Sequence, residues 1–244
     1  MAEQQARPAF YAAGPGPLRD WWTLLHPPFT AWHLSYVVIG AMLAPQVRLV
    51  SLFAAVAAFF LAVGVAAHAL DELQGRPLRT AIPRPALIAA TVVGLAGALG
   101  FGIWGIVRVG WILLPFMIAG PLLVIGYNAE LFGGLIHTDL GFAAAWGAFP
   151  ALTGYVAQAG RLAVAPVLAA AAAMALSAGQ RHLSTPARML RRRTAAVTGR
   201  VTLLSGQECE LGAAQLLEPL ERALRSLSWG VVLLAAALAV ARLG

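Results

Sequence analysis

The chain has 244 residues, of which 60% are hydrophobic and only 11% are charged, a composition that excludes an ordinary soluble domain with a charged surface. Its net charge of +7 comes from arginine alone, and in so apolar a chain this excess indicates lipid headgroups and membrane topology, with no nucleic-acid partner. The single cysteine, Cys209, excludes an internal disulfide bond and a multi-cysteine metal site. Long alanine-, leucine- and valine-rich runs without strand alternation predict an all-α, polytopic membrane helical bundle.

The chain begins with a segment, residues 1–28, that we interpret as a flexible tail followed by an interfacial stretch with two tryptophans. Apolar runs then predict about seven transmembrane helices, near residues 29–45, 49–73, 85–107, 111–128, 141–159, 163–182 and 219–243. The first six form a predicted core over residues 29–185, and the last lies in a terminal unit, residues 219–244. Residues 186–218 between them are predicted to be a cytoplasmic basic and interfacial segment, with a short helix over residues 207–217.

The positions of the arginines predict the orientation of these helices. If the N-terminus is cytoplasmic, all but four of the 17 arginines lie in cytoplasmic segments or at cytoplasmic helix ends. The four exceptions are Arg48, Arg108, Arg161 and Arg242. Because positive residues favour the cytoplasmic side, we expect a multi-pass protein of the inner (cytoplasmic) membrane with a cytoplasmic N-terminus.

The second predicted helix ends in three polar side chains. His68, Asp71 and Glu72 are spaced i, i+3 and i+4, which places them on one helical face. Two carboxylates there can hold Mg²⁺, with water and substrate phosphate completing its octahedral shell. The alternative is that these groups sit in headgroup water or pair with Arg76. Ionisable groups at the edge of a membrane are costly, which favours a functional role.

A loop with three arginines between prolines follows that helix end. The planar, forked donors of Arg76, Arg79 and Arg84 suit a diphosphate, and the prolines restrict the loop. Membrane orientation alone would also place arginines in a cytoplasmic loop, so both interpretations stay open here.

The loop after the fourth predicted helix carries a second candidate group. His137 and Asp139 suit a pair of metal ligands, or a general base with the acid that orients it. The alternative is that Asp139 caps the start of the fifth helix.

The end of the sixth predicted helix carries a third group. Gln180, Ser184 and Arg188 share a face if the helix continues past Pro186, and that face is expected to border the same cavity as Asp71. The run of arginines that begins at Arg188 is more typical of a lipid-facing basic patch. His26 and His33 are isolated, and we assign them no role.

The order of these features resembles the UbiA-type intramembrane prenyltransferase superfamily over roughly residues 18–200. The second helix ends in an acidic motif and an arginine–proline loop, Asp71 to Pro85, and the fourth ends in Tyr127-Asn128. The fifth contains the sequence Trp-Gly-Ala-Phe-Pro at residues 146–150. Members of that family transfer a prenyl group from a prenyl diphosphate to an acceptor, using Mg²⁺ held by two aspartate-rich motifs over a cytoplasm-facing cavity.

The chain departs from both motifs of that family. In the first, Asn-Asp-x-x-Asp-x-x-x-Asp, only the second aspartate is matched, by Asp71; the other positions hold Ala67, His68 and Gly75. The second motif falls on four residues without a carboxylate: Gln180, Arg181, Ser184 and Arg188. Guanidinium groups there can neutralise a diphosphate directly, as a metal ion would.

The resemblance implies a divergent UbiA-like integral membrane prenyltransferase acting on a prenyl diphosphate and a lipid-soluble or aromatic acceptor. In such an enzyme Asp71 and Glu72, with His68, hold Mg²⁺, and Asp139 or His137 acts on the acceptor. The residues expected to bind the diphosphate are Arg76, Arg79, Arg84, Arg181 and Gln180. The expected partners are a prenyl diphosphate or other isoprenoid lipid, membrane lipids, and a membrane-protein partner or a second copy.

Two alternatives are kept. The carboxylate-free second motif favours a non-catalytic lipid- or quinone-binding membrane subunit that has lost the Mg²⁺–diphosphate chemistry. A minority interpretation takes His68, His137 and His182, with Asp71 and Asp139, as a transition-metal site, since imidazole and carboxylate together suit iron, manganese or zinc.

Overall fold

The computed structural model describes residues 7–244, without the side chain of Phe132, so the first six residues of the predicted tail lie outside the described part. Helices dominate it, which confirms the prediction of an α-helical bundle. The helices are α1 (Pro17–Leu24), α2 (Pro27–Met42), α3 (Leu49–Leu73), α4 (Arg84–Val109), α5 (Trp111–Asn128), α6 (Leu131–Gly134), α7 (Asp139–Ala159), α8 (Val164–Arg192) and α9 (Ala213–Leu243). A two-stranded hairpin, β1 (Arg200–Thr202) and β2 (Glu208–Glu210), lies between α8 and α9.

Five of these helices are long and apolar enough to cross a membrane: α3, α4, α5, α7 and α9. The sequence predicts seven spans. The other two correspond to α2, which has 16 residues, and to α8, whose 29 residues include a polar second half. The outward faces of the long helices are apolar; on α4, Val92 and Val107 are largely exposed. A multi-pass membrane protein is the conclusion that these five helices support.

Helix α2 lies at the centre of the bundle, packed against α7 and α9. Glycines let the backbones of α2 and α7 meet: a Cβ atom at Gly40 would lie 1.9 Å from the carbonyl oxygen of Ala151. One at Gly154 would lie 2.1 Å from the carbonyl oxygen of Val37. Small residues are what allow membrane helices to approach this closely. The contact fixes the polar residues of α2 relative to those of α7.

Two long helices contain π-helical turns, at Phe60–Ala67 in α3 and at Ala144–Ala148 in α7. Such turns are rare and occur frequently at functional sites. Each of them supplies a backbone carbonyl to a buried histidine. His68 donates from Nδ1 to the Gly64 oxygen at 3.1 Å, and His33 donates from Nδ1 to the Trp146 oxygen at 2.9 Å.

The connection after α8 differs from its prediction. The interfacial helix expected over residues 207–217 is wrong, because β2 occupies its first part and α9 begins at Ala213. Gly206, with a φ of 82°, allows the tight turn that brings Val201 opposite Cys209 in the hairpin. All residues of both strands are exposed.

The chain reverses direction from one long helix to the next, so its loops gather at two ends. The site end holds the loops after α3 and α5 and the connection after α8. At the opposite end, Arg48 donates to the Gln158 carbonyl at 2.8 Å and Arg242 donates to the Ala44 carbonyl at 2.6 Å. Two of the four exceptional arginines therefore lie together, away from the site end; which end faces the cytoplasm stays a prediction.

Candidate functional site

A polar cavity of about 100 Å³ lies at the site end, between α2, α3, α7, α8 and the start of α9. Histidines from α2 and α3, the Asp71 carboxylate and one face of α8 line it. The positions of these residues along their helices place His33 and Gln180 deeper in the bundle than Arg188 and Arg192. The cavity therefore has an arginine-bearing outer part and a histidine-bearing inner part.

Three histidines converge in this cavity. The ring centroids of His26 and His68 lie 4.0 Å apart, and His33 lines the same space. His26 has a φ of 47°, a left-handed conformation that is uncommon for a residue with a side chain. Burial, together with the nearby His68 and Arg192, holds the pKa of His26 well below its usual range, so this imidazole is uncharged at neutral pH.

The polar face of α8 supplies the rest of the cavity wall. The helix extends past the predicted span of residues 163–182 and through Pro186, so the condition for a shared face is met, and Gln180, Ser184 and Arg188 border the same cavity as Asp71. Gln180 is only 3% exposed, and its Oε1 atom has no hydrogen-bond partner among the described residues.

The prediction of a lipid-facing arginine patch on α8 is wrong for most of the run. Arg188, Arg191 and Arg192 line the cavity, and Arg193 is the one that is exposed. Helical periodicity explains the difference, because residues 180, 184, 188 and 191 lie on one face of α8. Positive charge therefore points into the bundle here.

One arginine of this run holds the bundle together. Arg191 forms a two-pronged ion pair with Glu221 of α9, with Nη2 and Oε2 2.8 Å apart, and both side chains are about nine-tenths buried. The pair joins α8 to α9 beside the cavity.

A segment of the predicted tail covers the cavity. We call residues 7–13 the N-terminal strap. Arg192 donates from Nε to the Pro8 carbonyl at 3.0 Å, and the Ala13 amide donates to Thr23 Oγ1 at 3.0 Å. Tyr11 packs near His26, and burial raises the pKa of its hydroxyl above the usual range. The strap is therefore bonded to α8 and α1 rather than loose.

The metal-ligand role predicted for Glu72 does not agree with its contacts. Glu72 is fully buried and does not line the polar cavity. Its carboxylate accepts hydrogen bonds from the Leu78 amide at 2.9 Å, from the Thr80 amide at 2.9 Å and from Thr80 Oγ1 at 2.8 Å. Adjacent residues point 100° apart on a helix, so Glu72 faces the loop while Asp71 faces the cavity.

In the arginine loop after α3, the Arg76 side chain bonds to the backbone of the loop itself. Arg76 donates to the carbonyl oxygens of Thr80 and Ile82, at 3.3 and 2.6 Å. Arg79 and Arg84 are exposed at the surface, and none of the three arginines lines the polar cavity. The diphosphate-binding role predicted for this loop is therefore not what its geometry favours.

The loop after α5 lies beside the cavity without entering it. His137 stacks on Tyr127, with ring centroids 4.4 Å apart, and shares a hydrogen bond with the Tyr127 carbonyl at 2.9 Å. Asp139 accepts a hydrogen bond from Arg181 at 2.9 Å, and the Asp139 side chain is 60% exposed. Thr138, not Asp139, caps α7, since its hydroxyl accepts from the Gly141 amide. Asp139, His137 and Arg181 thus form a surface group outside the cavity.

Within residues 7–244, no group of three or more histidine, cysteine, aspartate or glutamate side chains is placed to hold a metal ion. Neither His68 with Asp71 and Glu72, nor the three histidines of the minority interpretation, are brought together in that way. Of the two carboxylates that line the polar cavity, Glu221 is paired with Arg191, which leaves Asp71 beside Arg188 and Arg192, whereas Mg²⁺ prefers several oxygen ligands. The residues present do not fit a Mg²⁺ site.

An apolar groove of about 120 Å³ lies between α3, α4, α5 and α7. Leucine, valine, phenylalanine and small residues line it, and Phe101 at its edge is 38% exposed. Trp146 lines both this groove and the polar cavity. Trp146 therefore lies between the two spaces, with polar walls on one side and apolar walls on the other.

Sequence reasoning missed His26, His33, Arg192 and Tyr11. His33 could have been found from the sequence, because it is a titratable residue within an apolar helix. Burying such a residue in a membrane is costly, and this marks functional sites. Comparisons of the chain with protein-family models, with curated proteins and with solved structures find no match. The resemblance to UbiA-type enzymes therefore stays a prediction, and the functional argument rests on the geometry of the two cavities.

Proposed function

We propose that this protein binds an isoprenoid-type lipid with a phosphate or diphosphate head. The head occupies the polar cavity and the chain occupies the apolar groove. The observation that supports this most strongly is the shared wall at Trp146, which has an arginine-bearing space on one side and an apolar space on the other. An amphipathic ligand matches both spaces at once, whereas a wholly polar or wholly apolar ligand matches one.

The charges of the polar cavity favour an anionic head. Arg188 and Arg192 approach it from α8, and the ion-paired Glu221 leaves Asp71 as the carboxylate that faces them. Guanidinium groups bind phosphate oxygens through two parallel hydrogen bonds, and such bonds are roughly twice as strong as those between neutral groups.

Prenyl transfer is the reaction that we propose for this site, in keeping with the resemblance to UbiA-type enzymes. Arg188 and Arg192 would neutralise the charge that develops on a leaving diphosphate, where the family uses metal ions. Asp71, on the same cavity, is the candidate to accept a proton from the acceptor. In this proposal α2 and α8 also cross the membrane, giving seven spans with the site end in the cytoplasm.

Equilibrium binding of labelled farnesyl diphosphate to the detergent-purified protein tests the binding proposal. We expect the double variant Arg188→Gln/Arg192→Gln to weaken binding at least about 100-fold, since two charge-assisted contacts are lost. Arg79→Gln, on the exposed loop, is the matched control and is expected to bind like the wild type. Equal binding by the wild type and the double variant would contradict the proposal.

Release of diphosphate distinguishes the enzyme from the non-catalytic alternative. Wild-type protein that releases diphosphate from prenyl diphosphates in the presence of a phenolic acceptor mixture, and an Asp71→Asn variant that binds but does not release, support prenyl transfer. Tight binding without release by either protein would instead support the lipid- or quinone-binding subunit, to which the absence of a second acidic motif also points.

A further inference from the structure

The inner part of the polar cavity contains buried polar atoms without hydrogen-bond partners. The Oε1 atom of Gln180 and the Nε2 atom of His26 are buried and have no hydrogen-bond partner among the described residues. Both residues line the cavity. Because buried polar atoms are nearly always paired, the unpaired Gln180 acceptor and the His26 nitrogen, which donates or accepts according to its tautomer, indicate a ligand that supplies hydrogen-bonding groups.

The neighbouring histidines are arranged as acceptors too. The Nδ1 atoms of His33 and His68 lie 2.9 and 3.1 Å from the carbonyl oxygens of Trp146 and Gly64. A carbonyl oxygen only accepts, so each Nδ1 atom carries the proton, and in the uncharged ring Nε2 is left as an acceptor. Burial disfavours a further cation in a space that already holds two arginines. The inner part of the cavity is therefore rich in acceptors.

The outer part of the cavity is rich in hydrogen-bond donors instead, because arginine side chains only donate. A ligand head that matches both parts has an anionic group against Arg188 and Arg192 and hydrogen-bond donors beyond it. An ammonium group would donate, but its charge is unfavourable beside two guanidinium groups. Hydroxyl groups donate hydrogen bonds without carrying a charge, so they fit the inner part of the cavity.

We propose that the inner part of the polar cavity, formed by His26, His33, His68 and Gln180, is a hydroxyl-binding subsite. The ligand then carries hydroxyl groups beside its phosphate, and in the proposed prenyl transfer these hydroxyls belong to the acceptor. This subsite deepens the proposed function and rests on it, since the same cavity and the same two arginines are used.

Native mass spectrometry of the purified protein tests the subsite with two lipids that differ only in their hydroxyl groups. Phosphatidylglycerol carries two hydroxyls on its head, and phosphatidylpropanol has the same charge and nearly the same size without them. We expect wild-type protein to bind phosphatidylglycerol at least about 10-fold more tightly. Gln180→Met, which keeps the side-chain length and removes the acceptor, is expected to bring the ratio close to one without weakening phosphatidylpropanol.

The matched control is Gln74→Met, the same substitution at an exposed residue of the site end, which is expected to keep the preference. His26→Asn provides a second variant, because asparagine tolerates the left-handed conformation at that position. It is also expected to reduce the preference. Thermal unfolding of each variant, compared with the wild type, separates a lost subsite from a lost fold.

The outcomes separate this subsite from the proposed function. Equal binding of the two lipids by the wild type, or an unchanged preference in Gln180→Met, overturns the subsite while the lipid site stands. Arg192→Gln is expected to weaken both lipids equally. Binding of neither lipid to wild-type protein that binds farnesyl diphosphate overturns the subsite alone, whereas binding of none of the three overturns both proposals. Glycerol 3-phosphate and propyl phosphate as competitors test for a soluble ligand. Displacement of phosphatidylglycerol by equimolar glycerol 3-phosphate supports the subsite and contradicts the lipid assignment.

Discussion

Two regions of the site end are rich in arginine, the loop over residues 74–83 and the last turns of α8, and their polar groups are used in opposite ways. In the loop, Arg76 donates to backbone carbonyls and Glu72 receives the amides of Leu78 and Thr80. On α8, Arg191 is paired with Glu221 and Arg192 donates one bond to the Pro8 carbonyl, but the Oε1 atom of Gln180 lies in the cavity without a partner. Where polar groups satisfy one another they stabilise the fold, and where they remain open they are available to a ligand.

Glu72→Ala is expected to cause the largest loss of stability among the variants that test this difference between the loop and α8. Its three hydrogen bonds hold a loop in which Arg76 and Arg79 both have positive φ angles, 55° and 56°. Their loss is expected to lower the free energy of unfolding by about 3 kcal/mol or more, since each bond to a buried carboxylate contributes about 1–3 kcal/mol. Thermal unfolding in detergent measures it.

Asp71→Ala is the control at the neighbouring position. It is expected to unfold close to the wild type while it impairs the chemistry of the cavity. If Asp71→Ala destabilised the protein as much as Glu72→Ala, the division of roles between the two carboxylates would be wrong.

The second prediction concerns the one arginine of the α8 run that the bundle uses structurally. Glu221→Gln leaves Arg191 buried beside a neutral partner, and breaking a buried ion pair costs about 3 kcal/mol. Glu218→Gln removes the exposed partner of Arg222 in the same helix, which is expected to cost less than about 0.5 kcal/mol. Chemical denaturation of the two variants compares them, and equal losses would contradict a structural role for Arg191.

The third prediction concerns pH. The pKa of His26 is lowered in the folded protein, so the unfolded chain binds more protons once the pH falls below about 6.5. Stability contributed by the uncharged ring is therefore complete above pH 6.5 and is lost as the pH falls further. We expect His26→Asn to lose about 1 kcal/mol less than the wild type between pH 6.5 and 5.5, because the variant lacks this ring. A variant with the same pH dependence as the wild type would rule out this contribution.

The smallest effect is expected at the surface group beside the cavity. Asp139→Asn removes the ion pair with Arg181, in which the Asp139 side chain is 60% exposed. Exposed pairs contribute about 0–1 kcal/mol, so both the unfolding temperature and farnesyl diphosphate binding are expected to stay near wild-type values. A large loss of farnesyl diphosphate binding would indicate that Asp139 belongs to the ligand site, as the sequence predicted.

The sequence predicts the helices well because long apolar runs have few alternatives in a membrane, and five such helices are observed. The face formed by Gln180, Ser184 and Arg188 was also predictable, since helical spacing alone brings them together. Helical spacing could not distinguish the role of Asp71 from that of Glu72, because these roles depend on the path of the loop that follows α3. His33 contacts the Trp146 carbonyl where α2 packs against α7, a tertiary feature that sequence spacing does not contain.

The N-terminal strap was the least predictable part. The glycines and prolines of residues 8–17 are typical of a flexible tail, yet Arg192 and Thr23 hold the backbone of the strap over the cavity. Hydrogen bonds between the strap and residues 184 positions away along the chain leave no local pattern in the sequence.

Photocrosslinking tests most directly whether one ligand spans both spaces. A prenyl diphosphate analogue with a diazirine at the far end of its chain would be bound, irradiated and mapped by mass spectrometry of peptides. We expect labels on α4 and α5, at groove residues such as Phe101 and Met117, that disappear with excess farnesyl diphosphate and in the Arg188→Gln/Arg192→Gln variant. Labels confined to the outward faces of the helices, or unaffected by competitor and variant, would contradict a lipid bound from the polar cavity into the apolar groove.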